Sequence, residues 1–169
     1  MTVLVGYASK YGSTREVAEA VAETLRQRGL AVDIRPLRDV RSLAEYGAVV
    51  LGAPLFMFRW HKDALGFLAR HQKALCERPV ALFALGPTHE PHDEKEWQDS
   101  RTQLGKELAN FPWLQPVATE MFGGKYNPAA LRFPISWLAG KAPATDLRDF
   151  TAVRTWASAL PQKLQPVLR

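Results

Sequence analysis

One stretch near the N-terminus decides the fold, Val3-Leu4-Val5-Gly6-Tyr7-Ala8-Ser9-Lys10-Tyr11-Gly12-Ser13-Thr14. Its apolar part predicts a first strand over residues 3–8, and a helical pattern begins at Arg15 after a loop rich in hydroxyls and glycine. A helix N-terminus offers unpaired N–H groups and partial positive charge, and short hydroxyl side chains add donors. The stretch therefore predicts an anion-binding loop suited to a phosphate. An ordinary helix start capped by serine or threonine is the alternative.

Strand and helix patterns alternate along the rest of the chain. Four further strands are predicted, over residues 31–37, 48–52, 79–85 and 117–122. Such alternation indicates a parallel sheet with helices on both faces. The length of 169 residues suits one domain spanning residues 1–169. The stretch 123–144 is too long for a simple connection, and we interpret it as an insertion.

Composition indicates the compartment. Hydrophobic residues make up 47% of the chain and charged residues 23%, which is typical of a globular protein. We see neither a membrane-spanning apolar run nor a signal-peptide pattern at the N-terminus. The single cysteine, Cys76, excludes an internal disulfide. We therefore expect a cytoplasmic protein.

Charge and spacing limit the classes of partner. The net charge of +5 favours an anionic substrate or an anionic membrane surface. The basic residues form no stripe interleaved with aromatics, so no nucleic-acid partner is expected. His89 and His92 do not have a strong metal-ligand spacing, so no metal site is expected.

The loop over residues 9–14 has neither the P-loop spacing nor the Gly-x-Gly-x-x-Gly of dinucleotide folds. It resembles the flavodoxin phosphate loop, [Ser/Thr]-x-[Tyr/Thr/Ser]-Gly-x-Thr, placed directly after the first strand. This resemblance implies a flavodoxin-like α/β fold, with a doubly wound, five-stranded parallel sheet of strand order 2-1-3-4-5. Ligands bind such sheets at the carboxyl ends of the strands.

Two more loops are expected at that edge of the sheet. The loop after the third strand carries three bulky residues in a row, Phe56, Met57 and Phe58. They favour a bed for a planar isoalloxazine ring, and the alternative is that they close the core. In the loop after the fourth strand, Gly86 gives access to the backbone and Thr88 can bond the pyrimidine edge of the ring.

Together, the loops resemble one branch of the flavodoxin-like proteins, the bacterial menaquinone-dependent protoporphyrinogen oxidases. The resemblance covers nearly the whole chain. Its narrower motifs are Arg59-Trp60-His61-Lys62, Phe122-Gly123-Gly124 and Thr145-Asp146-Leu147-Arg148-Asp149, the last before a helix carrying Trp156. It implies non-covalent FMN as cofactor, an anionic porphyrinogen as substrate and a quinone as electron acceptor.

The same resemblance implies the site residues. The FMN site would consist of Ser9, Lys10, Tyr11, Gly12, Ser13, Thr14, Ala53, Pro54, Leu55, Phe56, Met57, Phe58, Gly86, Pro87 and Thr88. Candidate partners of an anionic substrate are Arg59, His61, Lys62, Lys125 and Arg132, each of which has a solvated side chain as its alternative reading. No side chain is required to be catalytic, because the flavin itself supplies the redox chemistry.

The sequence allows more than one location for the insertion and more than one function for the protein. Within residues 125–141, Leu131, Ile135 and Leu138 have helical spacing, with basic and aromatic residues beside them. This segment either lies peripherally on the inner face of an anionic membrane or covers the sheet. Alternative functions are a flavodoxin-type electron-transfer protein, an NAD(P)H:quinone reductase or a flavin-free signalling domain. The basic charge counts against an electron carrier.

Overall fold

The structure is a computed structural model that describes residues 1–56, 59–89, 92–127 and 144–165. Its strands are β1 (Thr2–Tyr7), β2 (Ala31–Pro36), β3 (Tyr46–Phe56), β4 (Arg59–Trp60), β5 (Val80–Leu85), β6 (Ala118–Phe122), β7 (Lys125–Tyr126) and β8 (Thr145–Asp146). Its α-helices are α1 (Ser13–Gln27), α2 (Lys62–Arg70), α3 (Gln72–Cys76), α4 (Glu94–Leu108) and α5 (Phe150–Lys163). A 3-10 turn spans Leu37–Asp39.

The main sheet has the strand order β2-β1-β3-β5-β6, and all four pairings along it are parallel. The short strand β4 pairs antiparallel with the end of β3. When only the five long strands are counted in chain order, the order is 2-1-3-4-5. The predicted flavodoxin-like sheet is therefore confirmed.

The core lies on both faces of this sheet. Leu4 of β1 belongs to the apolar cluster that includes α2 and α4, whereas Val3 and Val5 belong to the cluster formed with α1 and α5. Successive side chains of a strand point to opposite faces, which explains this division. Every residue of β5 is buried, as expected for an inner strand of a parallel sheet.

The third strand is longer than predicted. Residues 53–56 were expected to form a loop, but Pro54 pairs with Leu85 of β5, and Leu55 pairs with Trp60 of β4. The indole Nε1 of buried Trp60 donates to the carbonyl oxygen of Ala53 at 2.9 Å. Tertiary pairing on both sides thus extends the strand through a proline that usually marks its end.

The predicted insertion is described only at its ends. Lys125 pairs with Asp146, and Tyr126 pairs with Thr145, so β7 and β8 form a separate antiparallel pair. Residues 128–143, which include Arg132, lie outside the described residues, as do Met57 and Phe58. Among the helices that the structure describes, none is long and apolar enough to span a bilayer.

Candidate functional site

Three loops meet at the carboxyl ends of the parallel strands. The first follows β1 and leads into α1, the second joins β3 to α2 through β4, and the third follows β5. Because β1, β3 and β5 are neighbours along the sheet, these loops are neighbours at its edge.

The first loop enters α1 through a left-handed residue. Gly12 has φ +87° and ψ −12°, a conformation that glycine adopts without steric cost. Its N–H donates to the hydroxyl oxygen of Ser9 at 2.9 Å, which leaves the Ser9 hydroxyl proton to donate elsewhere. No side chain caps the N-terminus of α1. The N–H groups of the first turn therefore have no side-chain cap and are available to a ligand.

Thr14 is the strongest sign of a missing partner at this helix start. It is fully buried, yet its hydroxyl oxygen has no hydrogen-bond partner among the described residues. Buried hydroxyls nearly always have a partner, because leaving one unpaired costs about 1–3 kcal/mol. The residues of this loop thus fit an anion whose oxygens accept from hydroxyl and backbone donors. Ser9 and Gly12 also line an open cleft of about 190 Å³ that reaches the loop.

Lys10 connects the first loop with the second. Its Nζ lies 4.5 Å from the ring centroid of Phe56 and 5.4 Å from that of Tyr11. Both rings are unusually exposed for large apolar groups, Phe56 to 41% and Tyr11 to 40%. The structure therefore brings these predicted residues together as an aromatic rim, which we call the Lys10 rim.

The predicted residues of the second loop differ in how far their side chains are exposed to a ligand. The side chain of Ala53 is fully buried in the core, and its carbonyl oxygen is already bound to Trp60. Pro54 and Leu55 are half-buried. Among the described members of this loop, Phe56 is thus the side chain most open to a planar ligand.

The third loop is held by the end of β6, by the turn that follows it and by β8. The Gly86 N–H donates to the carbonyl oxygen of Phe122 at 2.9 Å, and the Gly124 N–H donates to that of Pro87 at 2.7 Å. The Thr145 hydroxyl donates to the carbonyl oxygen of Thr88. These bonds fix the backbone of Gly86, Pro87 and Thr88, and they tie it to both ends of the insertion.

Gly124 lies so close to the third loop that a side chain would not fit. A Cβ at this position would lie 2.8 Å from the carbonyl oxygen of Gly86 and 2.9 Å from Cγ2 of Thr88. The need for glycine here comes from close approach, not from backbone conformation.

The candidate substrate-binding cations that the structure describes differ in their contacts. Nε of Arg59 lies 3.8 Å from Oε1 of Glu107, a nearly buried carboxylate on α4 whose other oxygen has no partner among the described residues. Lys62 is the exposed first residue of α2, and Lys125 is exposed in β7. Arg59 therefore has an acidic partner, but its side chain is exposed, as are those of both lysines.

His61 has a structural role in addition to its place beside the site. Its Nδ1 accepts a hydrogen bond from the backbone N–H of Asp63 at 3.1 Å and so caps α2. Burial is the main cause that lowers the pKa of His61. Asp63 opposes this shift, whereas the positive charges of Lys62 and Lys10 lower the pKa further. The imidazole is therefore neutral near pH 7, as an acceptor at Nδ1 must be.

Arg148 lies beside the site, and no role was predicted for it from the sequence. Its side chain is only 3% exposed, and Nη1 donates to the carbonyl oxygen of Ser13 and to Oε2 of Glu16, both at 3.1 Å. Asp146 accepts from Nε and Nη2, each at 2.9 Å. The only signal in the sequence was that Arg148 falls within a motif shared with a known family.

The two loop histidines are each paired with a carboxylate. Nδ1 of His89 lies 2.9 Å from Glu96, and Nε2 of His92 lies 3.3 Å from Glu94. Within the part of the chain that the structure describes, no group of three or more His, Cys, Asp or Glu side chains is placed to hold a metal ion.

The sheet order and the glycine-containing turn into α1 define a class, the flavodoxin-like α/β proteins. A profile of the flavodoxin domain matches residues 4–134. The chain belongs to the flavodoxin domain family.

Several curated relatives are oxidoreductases by name. The chain is 26% identical over 137 residues to protoporphyrinogen IX dehydrogenase [quinone] of Escherichia coli strain K12, covering 79% of this chain and 71% of that protein. It is 25% identical to the Leishmania major protein of the same name, and the alignment covers 96% of this chain and 77% of that protein. It is 29% identical to an NAD(P)H dehydrogenase (quinone) of Caulobacter vibrioides, over 52% of this chain and 51% of that one.

Solved structures agree on the fold. Oxidised flavodoxin 2 from Bacillus cereus superposes with a TM-score of 0.60 at 18% identity, covering 96% of this chain and 99% of that one. A flavodoxin from the domain Archaea gives 0.59 at 16% identity, covering 97% and 99%. At these identities the likeness shows the fold alone.

Proposed function

We propose that this protein binds FMN non-covalently and works as an oxidoreductase that takes electrons from a protoporphyrinogen-like substrate and passes them to a quinone. The observation that carries the proposal is the start of α1. There, an uncapped helix entered through Gly12 leaves the buried Thr14 hydroxyl without a partner among the described residues. A phosphate ester supplies the acceptor that this hydroxyl and the first-turn N–H groups lack.

The residues around the helix start have separable roles in this proposal. Ser9, Gly12, Ser13 and Thr14 would hold the phosphate through hydroxyl and backbone donors. The Lys10 rim and the backbone of residues 86–88 would flank the ring, since the rim is exposed and the third loop is fixed by its hydrogen bonds. When bound, the flavin supplies the electron-transfer chemistry, and the protein orients it and excludes water.

The substrate is inferred from charge and from the relatives. Lys62 and Lys125 are exposed cations, and the chain as a whole carries +5, which favours an anionic substrate. The names of the E. coli and L. major relatives support a protoporphyrinogen bearing carboxylates, with quinone as the acceptor. A peripheral contact with an anionic membrane through residues 125–141 stays a prediction, which co-sedimentation with anionic phospholipid vesicles tests.

A second candidate is an NAD(P)H:quinone reductase. The similarity to the C. vibrioides protein favours it, although that alignment covers only about half of each chain. The two candidates share the flavin and the quinone and differ only in the electron donor.

The experiment that separates them is an anaerobic assay of the FMN-loaded protein with a menaquinone analogue. One sample receives protoporphyrinogen IX and another NADH or NADPH. We expect porphyrin fluorescence to appear in the first sample at a rate that depends on the quinone, with no quinone reduction in the second. Turnover with the nicotinamide alone would favour the second candidate. Turnover with neither donor would contradict both and favour an electron carrier.

A further inference from the structure

The buried guanidinium of Arg148 lies beside the start of α1, where the flavin phosphate is proposed to bind. It donates to the carbonyl oxygen of Ser13, the first residue of the helix, at 3.1 Å. Its own segment follows β8, whose residue Asp146 pairs with Lys125 of β7. Arg148 thus joins the two ends of the insertion to the phosphate loop.

Two carboxylates share this guanidinium. Asp146 binds it as a fork, since Nε donates to Oδ1 and Nη2 donates to Oδ2, each at 2.9 Å, and Glu16 accepts from Nη1 at 3.1 Å. The hydrogen bond from Arg148 is the main reason that the pKa of Asp146 is lowered, so this carboxylate is charged at neutral pH. Glu16 lies in the first turn of α1. Without Arg148, the negative charges of Glu16 and Asp146 would lie uncompensated near the proposed site of the dianionic phosphate ester.

We propose that Arg148 is a specificity-determining residue that neutralises Glu16 and Asp146 at the start of α1 and thereby makes the site prefer FMN over unphosphorylated riboflavin. The inference rests on the proposed function, because it assumes that a flavin occupies the three loops. A guanidinium suits this task because it stays charged when buried and can hold several oxygens in one plane. The Phe150 ring lies beside the guanidinium, with its centroid 5.2 Å from Cζ of Arg148, and adds a cation–π contact.

The test compares the affinities of FMN and riboflavin for the same protein, measured by quenching of flavin fluorescence. Arg148→Met should weaken FMN binding by about tenfold and leave riboflavin binding nearly unchanged, because only FMN carries the phosphate. Arg154→Met is the matched control: it also removes a positive charge beside the Phe150 ring, but the side chain of Arg154 is exposed on α5. The control should keep the wild-type preference for FMN.

Two additional variants separate electrostatics from folding. Arg148→Lys keeps the charge but loses the fork, so its preference for FMN should fall between those of the wild type and Arg148→Met. It also serves as the deciding variant if Arg148→Met does not fold. Adding Glu16→Gln to either variant should recover part of the lost preference, since it removes one of the uncompensated carboxylates.

The outcomes distinguish this inference from the proposed function. If the wild type binds FMN and the folded Arg148 variants keep its preference over riboflavin, the inference is overturned and the proposed function stands. Equal losses for both flavins would also overturn it, because they would indicate a merely structural role. If the wild type binds neither flavin, the proposed function fails and the inference falls with it.

Discussion

The backbone N–H of Gly124 donates to the carbonyl oxygen of Pro87 at 2.7 Å and joins the segment after β6 to the third loop of the site. A Cβ on Gly124 would meet the Gly86 carbonyl oxygen at 2.8 Å. The two segments therefore keep their spacing only while residue 124 is glycine.

Gly124→Ala should push the third loop away from β6 and weaken the binding of FMN and riboflavin by the same factor, because the change acts on the ring and not on the phosphate. We also expect a loss of about 1–3 kcal/mol in the free energy of unfolding, as is typical of overpacking. Flavin titration and urea unfolding measure the two effects.

Gly105→Ala is the matched control for this substitution. Gly105 lies inside α4, and a Cβ there would meet nothing within 4 Å. Alanine should raise the free energy of unfolding by about 0.5–1 kcal/mol and leave flavin affinity unchanged. Wild-type flavin affinity in Gly124→Ala would contradict the assignment of residues 86–88 to the ring site.

Thr14→Val should have opposite effects on stability and on binding. It removes a buried hydroxyl that has no partner among the described residues, so the flavin-free protein should become more stable by about 1 kcal/mol. The affinity for FMN should fall by about tenfold, because a donor to the phosphate is lost. Thermal unfolding of the flavin-free protein measures the change in stability, and titration with FMN measures the change in affinity.

Thr24→Val on the same helix provides the contrast. The Thr24 hydroxyl donates to the carbonyl oxygen of Ala20 at 2.8 Å, so its removal should cost about 1 kcal/mol of stability and leave FMN binding unchanged. If the two valine variants behave alike, Thr14 is not a phosphate ligand.

Gly12→Ala tests the left-handed entry into α1. The substitution should cost about 1–2 kcal/mol in the free energy of unfolding, because alanine is strained at φ +87°. It should also weaken FMN binding, since relief of that strain moves the loop amides. Gly29 follows α1 with φ +86° and likewise has open space around it, so Gly29→Ala should show the same cost without a change in FMN affinity. Equal FMN affinities in the two variants would contradict the proposal that the loop at Gly12 binds the phosphate of FMN.

His61→Asn should alter how stability depends on pH. The pKa of His61 is lowered in the folded protein, mainly by burial, so the unfolded chain binds the additional proton first as the pH falls. The stability from the neutral cap is therefore complete above the ordinary pKa near 6.5 and declines below it, toward the lowered folded value. Asparagine caps helices without titrating in this range.

We therefore expect the melting temperature of the wild type to fall relative to that of His61→Asn between pH 7.5 and pH 5. His71, whose pKa is also lowered by burial, is present in both proteins and cancels in the comparison. If the melting temperatures of the two proteins change with pH in parallel across this range, the imidazole does not titrate with loss of the cap.

The sequence predicted where the long strands lie because their apolar runs and the turn at Gly12 are local signals, whereas the order of the strands came from the resemblance to flavodoxin-like proteins. It did not predict that β3 reaches Phe56, because Pro54 reads as the end of a strand and the pairing with Trp60 is tertiary. The contact between Arg148 and Ser13 was not predicted either, since it joins residues 135 positions apart. Contacts of that separation leave no periodicity in the sequence.

The most direct test of the proposed flavin site is a calorimetric titration of the flavin-free protein with FMN. We expect saturable binding of one FMN per chain, together with a rise in melting temperature that grows with FMN concentration. An absence of both binding heat and thermal stabilisation, with protein whose circular dichroism shows it to be folded, would contradict it.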